Sequence, residues 1–79
     1  MSRKIKLVWD FYGGDAKGTA EHHVIHLKQF MDREGLTLLA SAVEESIEIH
    51  YMATMTVNEE DVLKLRDALK PHRAFVVKQ

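Results

Sequence analysis

Seventy-nine residues, 46% hydrophobic and 29% charged, suit one small globular domain over 1–79 and leave no room for a second. The lack of cysteine excludes disulfides, iron–sulfur clusters and thiol nucleophiles, so any metal would need His, Asp or Glu ligands. Eleven basic against twelve acidic residues, a formal charge of −1, remove the broad attraction for phosphate on which most nucleic-acid binders rely.

Ile5, Leu7, Trp9 and Phe11 alternate with Lys4, Lys6, Val8, Asp10 and Tyr12, the period-two pattern of a half-buried strand, which Gly13-Gly14-Asp15 breaks. From Ala16 to Glu34 the pattern turns helical: Ala20, Val24, Leu27 and Met31 make one stripe with Phe30 and His23 at its edge. Asp15 is the expected N-cap and Gly35 the expected stop. Leu36 to Val43 reads as a second strand and Glu44-Glu45-Ser46 as a turn.

Ile47, Ile49, Tyr51, Ala53, Met55 and Val57 alternate with Glu48, His50, Met52, Thr54 and Thr56, which predicts a long third strand. Asn58 and Asp61 resemble a capping box for a helix with Val62, Leu65 and Leu69 on its apolar stripe, ended by Pro71. Ala74 to Lys78 is the last strand.

Strand, helix, strand, strand, helix, strand is the split βαββαβ arrangement called ferredoxin-like. This α+β fold predicts a four-stranded antiparallel sheet with two helices on one face. The first and third strands are central, and Trp9, Leu27, Phe30, Tyr51 and Leu65 fall in the core. The other face would carry Lys4, Lys6, Val8, Asp10 and Tyr12 beside Glu48, His50, Met52, Thr54 and Thr56.

The densest chemical feature is Glu21-His22-His23-Val24-Ile25-His26. His22 and His26, four apart, are neighbours on one helix flank and able to share a zinc, nickel or copper ion; the cofactor reading is a divalent metal, zinc or nickel. A third ligand would have to come from Asp10, Asp15 or Glu21. The zincin pattern His-Glu-x-x-His is excluded, because His23 stands where the general base would be needed. The plainer reading has His23 packed and His22 and His26 solvated.

His50 belongs to the uncovered sheet face, where His, Asp, Lys, Thr and Tyr could floor a ligand site or merely face solvent. The candidate ligand-binding residues are thus Asp10, Tyr12, His23, His26 and His50; no catalytic residue is assigned. The Phe11-to-Asp15 turn lacks the spacing of a phosphate loop, and Asp15 as cap would occupy the helix amides. Arg3, Lys4, Lys6 and Lys78 gather at one sheet end, but the stacking aromatics of RNA-recognition sheets are missing, which argues against nucleic acid.

The longest nearly apolar stretch, Leu36 to Val43, is far shorter than the roughly 20 residues needed to cross a bilayer, and the first residues run straight into a strand pattern. A cytoplasmic protein without membrane association is expected. The small core, with Val8 and Met52 on an uncovered face, predicts a homo-oligomer, first a dimer; exposed Ile25 and Leu63 are ordinary single apolar residues unless the fold brings them together. The functional expectation is a homo-oligomeric ligand- or metal-binding or regulatory domain using the first-helix histidines, with a small-molecule ligand. The alternative is a small enzyme of the dimeric α+β barrel type, in which His23 or His26 with Asp10 forms an acid–base pair. A third reading is a structural subunit of a larger assembly.

Overall fold

A computed structural model describes residues 3–47 and 49–77, and of Ile47 only the backbone. β1 (Lys4–Tyr12) leads to α1 (Ala16–Glu34), β2 (Ala40–Ile47), β3 (His50–Asn58), a 3-10 turn (Glu59–Asp61), α2 (Val62–Leu69) and β4 (Arg73–Val76). The strands form one antiparallel sheet in the order β2-β3-β1-β4, with β1 and β3 central.

Alternation sorts β1 as its sequence requires. Ile5, Leu7 and Trp9 join Ala53, Met55 and Val57 of β3 against Ala20, Val24, Leu27 and Met31 of α1 and Leu65 of α2 in one apolar cluster. Phe30 and Tyr51 lie at its margin, only partly buried. The Trp9 indole N–H donates to the Leu69 carbonyl at 2.9 Å, tying the end of α2 to β1. No helix among the described residues is long and apolar enough to cross a membrane.

α1 stops where Gly35 adopts φ 68°. The Gly35 N–H donates to the Asp32 carbonyl at 3.2 Å and the Leu36 N–H to the Met31 carbonyl at 2.9 Å, the paired bonds of a Schellman ending. Leu36 and Met31 both pack on the core, completing the apolar contact of that motif.

Several expectations need correction. The second strand is not Leu36 to Val43 but Ala40–Ile47, because Leu36 and Leu38 belong to a lead-in packed on the core. Pairing to β3 begins only where the Leu39 N–H donates to the Thr56 carbonyl at 2.9 Å. Glu44-Glu45-Ser46 is not a turn but strand, since Glu44 pairs with Lys6 at 2.6 Å and Glu45 accepts from the Tyr51 hydroxyl at 3.1 Å. The chain reverses between Ile47 and His50, leaving Ile49 55% exposed rather than in the core.

Neither Asp15 nor Asn58 makes a side-chain cap hydrogen bond. Arg73, read as lying outside the last strand, opens β4, while Lys78 and Glu48 lie outside the described residues.

The largest correction concerns the sheet face without helices. Val8 is only 2% exposed there and Thr54 only 3%. Their cover is the sheet's own long side chains. In the register, Val8 and Thr54 lie between the level of Lys6 and that of Glu44, which meet in an ion pair, and Arg73 opposite Val8 reaches to Asp10. Such stems bury apolar surface while their charged heads stay near water.

Candidate functional site

The residues singled out in the sequence separate into two groups on opposite faces of the sheet. Asp10, Tyr12 and His50 come together on the open face; His22, His23 and His26 come together on α1 over the other.

On the open face, Asp10 is the hub. Its carboxylate accepts from Arg73 Nη2 at 2.6 Å and Nε at 3.1 Å, and from His50 Nε2 at 2.7 Å. An ionised carboxylate only accepts, so His50 carries its proton on Nε2. The Asp10 backbone N–H donates to His72 Nδ1 at 2.8 Å, continuing the β1–β4 edge after strand pairing has ended at Arg73. Burial would raise the Asp10 pKa, but the hydrogen bonds and charges of Arg73 and His50 outweigh it and hold the carboxyl below the usual aspartate range.

Tyr12 stacks on His50, the rings 4.4 Å apart and inclined by 10°. Arg73 touches the Met52 sulfur at 3.1 Å and lies 5.6 Å from the centre of the Phe75 ring. The sequence reading missed Arg73 and His72. The signal for Arg73 was its parity with Phe75 on the last strand, hidden by starting that strand one residue late.

On the helix side, alternation aims Phe11 and Trp9 at α1, and the helical period brings His23 down between them. Its ring centre lies 5.1 Å from that of Trp9 and 5.5 Å from that of Phe11. The Nε2 atom is buried without a hydrogen-bond partner in the protein. Desolvation first, then the neighbouring His26 and His72, pushes the His23 pKa below the ordinary histidine value, so the ring is neutral at pH 7.

His22 and His26, one turn apart and both exposed, face each other edge to plane with ring centres 4.5 Å apart. All three imidazoles open onto one depression of about 550 Å³, walled by Gly14, Asp15, Gly18, Thr19 and Phe11. Among the described residues no group of three or more His, Asp or Glu is placed to hold a metal ion.

The acid–base pair of His23 or His26 with Asp10 is not assembled. Successive residues of a strand point to opposite faces, so Phe11 and Trp9 reach α1 while Asp10, between them, points away to His50. For the same reason Asp10 does not join His22 and His26 as a third ligand. The Arg3 and Lys6 side chains of the basic sheet end are engaged with Glu59 and Glu44, each at 2.6 Å. No family model, curated protein or solved structure matches the chain.

Proposed function

We propose that this chain is a small cytoplasmic, homo-oligomeric binding domain of ferredoxin-like build, with the histidine-lined depression on α1 as its ligand seat. The observation that carries the reading is the convergence of His22, His23 and His26 on a single depression. The strand order, with both crossover helices contributing to one apolar cluster, supports the fold assignment. Neutral imidazoles are ligands for zinc and nickel and hydrogen-bonding partners for polar molecules. His22 and His26 would supply two ligands to a divalent cation, with the remaining positions taken by water or by a small-molecule ligand. Oligomerisation draws on exposed Ile25 and Leu63 of the helices and on Tyr12 and Phe75 of the open face; Val8 is already covered within one chain.

Calorimetric titration of zinc and nickel at pH 7.5, with native mass measured on the same samples, tests the reading. Binding to an oligomer, abolished by His22→Ala and retained by His72→Ala, is expected. Metal binding indifferent to His22→Ala, or no binding at all, rejects the metal form of the proposal.

The enzyme alternative draws on a different pair, since Asp10 orients His50 on the open face and a second sheet stacked there would enclose both. It requires a dimer closed over that face, so a chain that sediments as a monomer throughout the micromolar range removes it.

A further inference from the structure

A second depression, of about 290 Å³, adjoins the first and shares His23 and His26 with it. Its other walls differ in chemistry: Leu27, Phe30 and Leu69 are apolar, Gln29 is neutral and polar, and Arg33 brings a fixed positive charge. We infer that this depression binds a small organic acid, a carboxylate on a compact apolar body, with Arg33 receiving the carboxylate.

Three observations carry the inference. The Arg33 guanidinium lies over an aromatic ring, and its ion pair with Glu34 is a long one. Its Cζ lies over the Phe30 ring, 5.5 Å from the ring centre, a cation–π contact that makes no demand on its N–H donors. Glu34 Oε2 pairs with Arg33 Nε at 3.9 Å, longer than a hydrogen bond. Glu34 also reaches the other way, to Lys64 of α2 at 3.5 Å.

The apolar walls select the rest of the ligand. Leu27 belongs to the buried core, and Phe30 and Leu69 pack against it, so these walls are anchored by the fold. The volume lies at the small end of ligand pockets, about 300 Å³, which suits a single ring or a short branched chain. Planar, two-toothed recognition of carboxylate is the task for which guanidinium geometry is suited.

The inference rests on the proposed function only in placing ligands along α1, because its charged anchor, Arg33, is not among the three histidines. Benzoate is the probe and benzamide the neutral control of the same shape, followed through the methyl signals of Leu27 and Leu69 by NMR in metal-free buffer. Saturable shifts with benzoate are expected. Binding should weaken about tenfold or more for benzamide and for Arg33→Gln, as loss of a charge-assisted hydrogen bond implies, and stay unchanged in His22→Ala.

Arg33 is exposed, so its replacement leaves the core intact, and an unaltered spectrum of the free variant checks this. No saturable shift with benzoate overturns the inference. Equal binding of benzamide, or benzoate binding indifferent to Arg33→Gln, overturns it too by leaving only an apolar slot. Loss of benzoate binding in His22→Ala overturns the separate Arg33 anchor. Failure of metal to bind, with benzoate binding intact, rejects the metal reading alone.

Discussion

Arg73 grips Asp10 with two nitrogens, at 2.6 and 3.1 Å, although strand register sets Arg73 opposite Val8. The arginine therefore leans along the sheet rather than out into solvent. In doing so it closes one side of the cover over Val8 and supplies the counter-charge that keeps an 11% exposed carboxylate ionised.

Asp10→Ala should cost about 1–2 kcal/mol, because Arg73 and His50 lose their shared acceptor while remaining partly hydrated. Asp10→Asn should cost less, retaining one acceptor oxygen. The pH sign follows from the lowered folded-state pKa: the contribution is fully present above the unfolded aspartate value, about 3.9, and is lost as pH falls through the lower folded value. Urea melts of wild type and Asp10→Ala should converge in strong acid; a constant gap down to pH 2 contradicts the assignment.

His23 works over a higher window. Its folded pKa lies below the unfolded value of about 6.5, so the folded state resists protonation and stability falls as pH drops from that value toward the folded one. His23→Phe keeps a ring between Trp9 and Phe11 and removes the unpaired Nε2, for an expected gain of about 1 kcal/mol at pH 7. Its melting temperature should change less than that of wild type between pH 7 and pH 5.5. An equal acid slope in both proteins would assign the effect to other groups.

Trp9→Phe should destabilise by about 1–3 kcal/mol, combining lost ring volume with loss of the bond to the Leu69 carbonyl. That bond anchors the last turn of α2. Hydrogen exchange should therefore speed up most in α2, and a uniform change across the sheet would argue against the anchor.

The two leucines of α2 discriminate its orientation. Leu65→Ala, at a fully buried position, should cost about 2–4 kcal/mol, whereas Leu63→Ala, at an exposed one, should stay within about 0.5 kcal/mol. Chemical denaturation of both variants checks it. Similar losses at both positions would place Leu63 in a subunit contact.

The sequence by itself determined β1 and α1 to the residue, since each carries a long uninterrupted periodicity bounded by glycine, and Gly35 alone could take the left-handed backbone that ends α1 without strain. It also determined that His22 and His26 are neighbours, because that depends on helical spacing alone. Tertiary structure decided what depends on partners distant in the chain. Glu44 and Glu45 read as a turn until Lys6 and Tyr51 are placed beside them. Leu36 and Leu38 read as strand because core packing and sheet pairing leave the same apolar signature. Val8 read as uncovered because hydrophobic alternation records which side a residue faces, not whether a lysine and an arginine lie down over it. Asp10 found His50 and Arg73 rather than the α1 histidines through the pairing of β1 with β3 and β4, at separations of 40 and 63 residues. No local pattern encodes a contact at that range; only the closed sheet brings those three side chains to one place.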